Sequence, residues 1–588
     1  MVIQPILFPK KNSINLPKLF FRGVEPADFS DDAVCVSAGS ELSLETYFNA
    51  FSIGKWVKYT VLDNLYLYLE AKGDFEIKAY HAVSSAQKMY STVREETAYS
   101  LSKDKAGFIV KFQELFSEGI LYITIKAISD TVLYKGYYFS AIDEKLLNPV
   151  KFALGICTYK REKEVTENIK QILGSPLAHK MEVYIADNGQ TLDSSIFDIN
   201  KVHILPNPNL GGAGGFTRTM IEAMLYDKAK AFTHIIFMDD DITLFPPILE
   251  RTFYLLTLLK KEYEKALVGA SMLLSDRPYL QQNCGCLALN RFVRPSIPNH
   301  HFFDLRDQDA IAANEVLDPI NYTGWYFTCI PASIINQNNL PMPLFIHNDD
   351  VEYGMRNNAY GLILINGIGV WHPAVENKGG FWISYYDTRN RFVVLFVNKV
   401  SLGDLKHHLV ELAKKFLLKI MQYQYQDASL IVSAMEDFLK GSDDLIHLNA
   451  LQKHSELMKS KYQAMTPADI GISEADICRK RYSDYKMAFF VQLLCNLLPA
   501  SDKTRAADIN FFTIPYRAKK FYIYNPKNNS GFLFERNQKK AFALLLAFYK
   551  AKRQIIKQYR NLIIDWEKGQ KIMTSLPFWE KYLGIKRD

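Results

Sequence analysis

The sequence predicts an α/β core set between an N-terminal β-sandwich and a C-terminal helical region. Three observations carry this reading. Short alternating or β-branched segments fill residues 1 to about 150, strands alternate with helical spacing from Phe152, and past about residue 400 apolar residues recur at three- and four-residue intervals. A length of 588 residues fits three to five domains at roughly 100–200 residues each. The expected division is 1–150, 151–400 and 401–588.

In the first part, Lys55-Trp-Val-Lys-Tyr-Thr-Val, Leu65-Tyr-Leu-Tyr-Leu-Glu, Phe75-Glu-Ile-Lys-Ala-Tyr-His-Ala-Val and Leu121-Tyr-Ile-Thr-Ile-Lys-Ala-Ile read as strands. Breaks at Lys72-Gly-Asp and Ser129-Asp suggest a sandwich. No catalytic constellation is visible there. The pattern changes at Pro149. Phe152-Ala-Leu-Gly-Ile-Cys-Thr-Tyr reads as a buried strand and Glu164–Leu173 as a helix. Met181-Glu-Val-Tyr-Ile-Ala-Asp and Val202-His-Ile-Leu follow as strands, Thr217–Lys228 as a helix and His234-Ile-Ile-Phe-Met as a further strand. Such alternation implies a mostly parallel sheet wrapped by helices, with ligands at the carboxyl ends of its strands. Asp404–Tyr423, Leu430–Leu439, Leu451–Ala464, Met487–Leu498 and Lys539–Ile564 are the expected helices of the last third.

Composition narrows the function classes. Hydrophobic residues at 48% and charged residues at 23% exclude a disordered chain, a collagen and a coiled-coil rod. Aromatic richness, 34 Tyr and 38 Phe, fits both a large core and stacking platforms. The net charge of +7 is mild at this length; it permits anionic partners and selects none. Seven cysteines, an odd count in a long chain, argue against a disulfide framework. The start lacks the order of a secretory leader, and no stretch of ~18 apolar residues is found. The expectation is a cytoplasmic protein, peripheral on the inner face of the cell membrane. The basic amphipathic stretches Leu405–Met421 and Lys550–Arg560 read either as solvated faces or as docking surfaces for anionic lipid.

Five motifs carry chemistry. In His234-Ile-Ile-Phe-Met-Asp-Asp-Asp-Ile, a buried strand delivers three carboxylates into a turn, and Asp239 and Asp241 can face one side. Adjacent carboxylates repel unless a cation joins them, and Mg²⁺ or Mn²⁺ prefers such oxygens. The alternative is an acidic turn that caps the next helix. In Phe345-Ile-His-Asn-Asp-Asp-Val-Glu-Tyr-Gly-Met-Arg, Asp349 and Asp350 read as a helix N-terminus, as a general base, or as one of each. Gly369-Val-Trp-His-Pro presents His372 beside Trp371, a metal ligand or a structural histidine.

Asn207-Pro-Asn-Leu-Gly-Gly-Ala-Gly-Gly-Phe-Thr-Arg lacks the ending of a P-loop and follows the third strand, not the first. Its glycines, Gly211 and Gly212 among them, allow close backbone approach, and a helix N-terminus after it favours an anion. Asn209 lies in this stretch, and Arg218 could meet a diphosphate; the alternative is a flexible turn. Finally, Thr158 and Arg161 are candidates to hold phosphate or uracil, and Asp187 to accept the uracil N–H. Trp325 reads as a sugar-stacking surface or an ordinary core aromatic.

Taken together, the chain resembles glycosyltransferase family 2 with the GT-A fold, and within it the galactofuranosyltransferases, the group that includes mycobacterial galactan polymerases. The resemblance rests on Thr46-Tyr-Phe-Asn-Ala-Phe, Asn209-Leu-Gly-Gly-Ala-Gly-Gly-Phe-Thr-Arg, Met238-Asp-Asp-Asp, and Pro343-Leu-Phe-Ile with Asp349-Asp350 and Tyr353-Gly-Met-Arg, followed by Trp371-His372. It is tightest between residues 151 and 392.

The resemblance implies a GT-A (nucleotide-diphospho-sugar transferase) core, with Asp239, Asp241 and His372 holding Mn²⁺ or Mg²⁺. Asp350 is then the general base of an inverting transfer from UDP-galactofuranose to a glycan or polyprenyl-linked glycolipid. Donor contacts fall on Thr158, Arg161, Asp187, Asn209, Gly211, Gly212, Arg218 and Asp240, and acceptor contacts on Trp325, Asp349 and Trp371. A homo-oligomer and a peripheral membrane contact are compatible with it, and nucleic acid is not an expected partner. His347-Asn348 stand where a Trp is expected in the mycobacterial enzymes, which leaves a different acceptor, or single addition, open. The alternatives are a family 2 transferase using dTDP-rhamnose or UDP-galactopyranose, and a carbohydrate-binding protein with an inactive core. A nucleotidyltransferase fits the later acid pair and Trp371-His372 less well.

Overall fold

The computed structural model describes residues 1–9, 16–25, 28–30, 33–85, 91–104, 107–289, 292–295, 302–316, 319–374, 381–459, 462–479, 491–492, 495, 498–509 and 513–585. The N-terminal part folds into a seven-stranded and a four-stranded sheet. Strand Phe75–Ser85 pairs antiparallel with Ile120–Ala127, Phe75 opposite Ala127 and Ala82 opposite Ile120. Inward residues of both sheets, Leu67, Leu69 and Val110 from one and Ile77, Ile123 and Ile125 from the other, share a core. That is the sandwich expected from the alternation. One expected strand is a helix: Ile53–Tyr59 buries Ile53, Trp56 and Tyr59 at three-residue spacing. Its aromatic and β-branched composition mimics a strand, but tertiary burial decides.

The central sheet has seven strands. Val202–Pro206, Met181–Asp187, Phe152–Thr158 and His234–Asp239 lie side by side in parallel, and Phe327–Pro331 then runs antiparallel. This is the GT-A arrangement. Register aligns the carboxyl ends: Thr158 is opposite Asp187, and Cys157 is opposite Asp239. A four-stranded sheet beside it contains Gly369–His372, which runs parallel to Ser271–Leu274.

The helix after the third strand spans Gly211–Met220 and continues as a π-helical turn, Ile221–Tyr226. It starts six residues before the Thr217 start expected from sequence, so the glycine run is its first turns rather than a loop. Glycine is a poor helix former, and close packing accounts for the exception. A Cβ on Gly215 would lie 2.2 Å from Cys157 Sγ on the neighbouring strand.

The N-terminal segment Thr46–Phe51 buttresses the core. Arg251, 1% exposed, donates to the carbonyls of Phe48 at 2.7 Å and Asn366 at 2.9 Å. Tyr47 donates to Ile368 O, and the Phe48 ring meets Trp371 at 5.9 Å. The sandwich therefore supports the strand that carries His372.

Beyond it, Ile383–Val397, Leu402–Met421, Tyr425–Leu439 and Ala450–Met458 are helices, as are Gln538–Lys557 and Tyr559–Met573. The helical region also carries a five-stranded sheet from Ala464 to Glu535, which the apolar periodicity did not indicate. Most of the expected Met487–Leu498 helix lies outside the described residues. Among the described residues, no helix is long and apolar enough to cross a membrane.

Candidate active site

Strand His234–Asp239 ends in the acidic turn. A ladder contact between Thr243 and Trp371, with the Thr243 N–H bonded to Trp371 O at 2.8 Å, draws this turn against the end of the Gly369–His372 strand. His372 Nε2 then lies 3.3 Å from Asp239 Oδ2 and 3.6 Å from Asp241 Oδ1. One ligand atom from each of these three residues falls within 4.8 Å of the others. His372 Nδ1 is 2.6 Å from Pro373 O, a group that only accepts, so Nδ1 carries the proton. In the neutral ring, Nε2 therefore turns a lone pair towards two carboxylates. A hard divalent cation matches that donor set, and the Pro373 bond orients the ring for it.

Asp240 points elsewhere. It accepts from Thr158 Oγ1 at 2.9 Å and Arg161 Nη1 at 2.8 Å. Arg161 also meets Asp241 Oδ2 at 2.6 Å. Burial pushes the Asp240 carboxyl up to about 6, against the pull of Arg161. Thus Thr158, Arg161 and Asp240 form one cluster beside the Asp239, Asp241 and His372 group. Asn168, which sequence reasoning missed, ties the same turn by donating to Ile242 O at 3.0 Å.

Asp187 is 2% exposed and accepts backbone N–H bonds from Gly189, Thr191 and Leu192 at 3.0, 2.8 and 2.8 Å. Its carboxylate shapes the turn after its strand. Asn209 Oδ1 accepts weakly from the Gly211 N–H at 3.4 Å. Asn188, also missed, donates to Gly211 O at 3.2 Å and accepts from Asn207 Nδ2 at 2.7 Å. The Asn188 contacts join residues far apart in sequence, so local spacing gives no sign of them. Arg218 lies two turns along the glycine helix and pairs with Glu222 at 2.8 Å.

Asp349 and Asp350 open the helix Asp349–Asn357. Asp349 is buried, and a Cβ on Gly212 would lie 3.5 Å from its Oδ2. The glycine helix start and the acid pair therefore face each other. Asp350 is half-buried and accepts the Val351 N–H at 2.8 Å. Both carboxyls are raised, first by burial; Asp349 is raised further by repulsion from Asp350, and Asp350 by Asp239. Burial and mutual repulsion thus disfavour the doubly charged form of the pair.

The two tryptophans do not offer platforms. Trp325 is 6% exposed and meets Phe216, Phe237 and Tyr353 edge-on at 5.4, 5.1 and 6.2 Å. Trp371 is 2% exposed, and its Nε1 donates to Pro278 O at 2.9 Å. Both are core aromatics: Trp325 sits in the turn that leads into the central strand Phe327–Pro331, and Trp371 lies on the strand Gly369–His372. This corrects the acceptor-contact expectation for each.

The family model described as "Galactofuranosyltransferase 2 N-terminal" matches residues 3–141. Galactofuranosyltransferase GlfT2 of Mycolicibacterium smegmatis is 24% identical over 92% of this chain and 89% of its own length. The GlfT2 of Mycobacterium tuberculosis is 24% identical over 93% and 91%. The chain is a glycosyltransferase related to the galactofuranosyltransferases. Among solved structures, S. aureus TarS 1–349 is similar over 50% of this chain and 80% of that one, with 12% identity and a TM-score of 0.32. The arrangement brings together three side chains that could hold a cation, the N-terminus of the glycine helix and an acid pair facing it.

Proposed function

We propose that this glycosyltransferase is an inverting, metal-dependent galactofuranosyltransferase. It moves galactofuranose from UDP-galactofuranose to a hydroxyl of a glycan or lipid-linked acceptor, in the assembly of a cell-surface polysaccharide. The observation that carries the reading is the meeting of the Asp349-Asp350 pair with the Gly211 helix start, beside Asp239, Asp241 and His372. The names of the two relatives support galactofuranose as the sugar.

In this reading, Asp350 is the general base. It takes the proton of the acceptor hydroxyl as that oxygen attacks the anomeric carbon from the face opposite UDP. The bond from the anomeric carbon to the diphosphate oxygen breaks, and UDP leaves with the electron pair. One displacement inverts the centre, and no enzyme nucleophile is needed. Asp239, Asp241 and His372 would hold Mn²⁺ or Mg²⁺, which supplies Lewis-acid stabilisation of the departing diphosphate. Thr158, Arg161, Asp187, Asn209, Gly211, Gly212, Arg218 and Asp240 build the donor side, directly or by shaping its turns, and Asp349 faces the acceptor.

The Gln538–Lys557 helix supports a peripheral contact with the inner membrane face, where a lipid-linked acceptor would lie. Phe542, Leu545, Leu546 and Tyr549 are 71, 38, 44 and 54% exposed on one side of it, with lysines and Arg553 nearby.

The test is UDP release from UDP-galactofuranose with Mn²⁺ and then with EDTA, against UDP-galactopyranose, UDP-glucose and dTDP-rhamnose. Metal-dependent turnover of the furanose alone is expected; turnover of another donor instead overturns the sugar assignment. Asp350→Asn should lose about 10²–10⁴-fold in kcat while still binding UDP, the range for a general base. Substantial residual turnover would remove Asp350 from that role.

A further inference from the structure

The structure assigns Asn390 as a positioning residue for transfer, its buried amide clamping the left-handed loop that joins the glycine helix to the Asp349-Asp350 pair. The assignment rests on the reading of Asp350 as the base.

Asn390 lies in the Ile383–Val397 helix and is 0% exposed. Its Nδ2 is 2.9 Å from Leu344 O and 2.8 Å from both Ile346 O and His347 O. Two amide hydrogens are thus shared among three carbonyls. Its Oδ1 accepts Arg389 Nε at 2.9 Å, which fixes which end of the amide faces the loop. Arg389 adds a bond from Nη2 to Leu344 O at 3.1 Å, and Tyr386 of the same helix stacks on Phe345 at 5.2 Å.

Those carbonyls converge because the backbone is unusual. Phe345, His347 and Asn348 have φ of +71°, +64° and +66°, a region that non-glycine residues hold only when their surroundings impose it. The loop then acts at both ends. Phe345 O accepts the Ala213 N–H at 3.1 Å, in the first turn of the glycine helix. Asn348 is the N-cap residue of the helix that Asp349 and Asp350 open. The donor side has a hold of its own, through Asn188 and Asn207 on Gly211. Loss of Asn390 should therefore fall on the acid pair more than on donor binding.

The experiment compares Asn390→Ala and Asn390→Asp with Asp350→Asn in the full chain. Readouts are UDP-galactofuranose turnover and calorimetric titration with UDP and Mn²⁺. Asn390→Asp keeps the volume and removes the donors. Both Asn390 variants are expected to bind UDP at the parental stoichiometry, with KM for the donor within about threefold and kcat down on the order of 10²-fold, the cost of an ångström-scale misplacement. Parental kcat in Asn390→Asp would overturn the clamp, because packing alone would then suffice. Loss of UDP-binding stoichiometry in both variants would also overturn it, in favour of a role in folding only. An active Asp350→Asn would instead sink the base reading, whatever Asn390 does.

Discussion

Gly211→Ala tests how tightly the glycine helix and the loop before the acid pair are fitted together. Gly211 has φ of +70°, and a Cβ there would lie 2.1 Å from Phe345 O and 2.7 Å from its carbonyl carbon. The left-handed conformation costs an L-residue ~1–2 kcal/mol. Forcing a methyl against packed backbone adds ~1–3 kcal/mol. The sum is about 2–5 kcal/mol if the chain holds its course. If the Phe345 peptide yields instead, the strain passes into the loop that precedes Asp349 and Asp350, where a shift of about 1 Å costs roughly 10²-fold in rate. Gly212→Ala is the matched control. It has no positive φ, and the nearest contact of its Cβ is Asp349 Oδ2 at an ordinary 3.5 Å. Exchange of a helical glycine for alanine gains about 1 kcal/mol. Thermal unfolding and UDP titration with Mn²⁺ separate the two. Gly211→Ala should melt several degrees below the parent and lose turnover. Gly212→Ala should melt at or above it, yet bind UDP more weakly, because the methyl fills the space between the helix start and Asp349. Parental melting and turnover in Gly211→Ala would refute the claim that the Phe345 approach demands glycine.

Three further outcomes are expected. Asp239→Ala and His372→Ala should each weaken Mn²⁺-dependent UDP binding by at least about tenfold in calorimetry, the scale of a lost metal contact, whereas unchanged metal titrations would remove them as ligands. Burial lowers the His234 imidazole to about 4, so the unfolded chain takes up a proton near 6.5 and the folded chain does not until about 4. That stability is present above 6.5 and is lost as pH falls through this window, by roughly 3 kcal/mol. Urea midpoints at pH 7 and pH 5 should therefore diverge less in His234→Gln; an equal acid loss would assign it to another group. Phe542→Ser with Leu546→Ser should reduce co-sedimentation with vesicles containing anionic lipid while leaving UDP release in solution unchanged, and retained co-sedimentation would move the contact elsewhere.

The core strands are legible in the sequence because each is a short apolar run ending in polar residues, as Phe152–Thr158 and His234–Asp239 do. The candidate cation site is legible for a related reason: acids crowded at a buried strand end repel one another unless positive charge joins them. What escapes is what depends on tertiary packing. The glycine run reads as a turn until Cys157 is seen to leave no room for a Cβ at Gly215. Trp325 and Trp371 read equally well as platform or core until their neighbours are known. The strands between Ala464 and Glu535 lie among basic and polar residues that blunt the alternation; Ser501–Asp508, for instance, is exposed along most of its first half. Asn168, Asn188 and Asn390 are invisible to spacing, since each bonds backbone distant in sequence, and Asn207 is so because its partner is the Asn188 side chain.

The same packing shows how five carboxylates are tolerated in one region. Asp239, Asp240, Asp241, Asp349 and Asp350 would repel strongly if all were ionised and unpaired. The fold meets that charge in three ways. Arg161 bridges Asp240 and Asp241 and so neutralises one side of the turn. His372, oriented by Pro373, joins Asp239 and Asp241 in a donor set that favours a cation over bare side chains. At the acid pair burial instead raises both carboxyls, which disfavours full ionisation. A carboxylate kept near its titration point is poorly stabilised as an anion, and that makes it a stronger acceptor for a hydroxyl proton than a solvated aspartate. On the proposed reading the three solutions divide the site by function: Arg161 steadies the turn, the Asp-Asp-His set would draw in a cation, and the pair opposite Gly212 would keep the basicity that a general base needs.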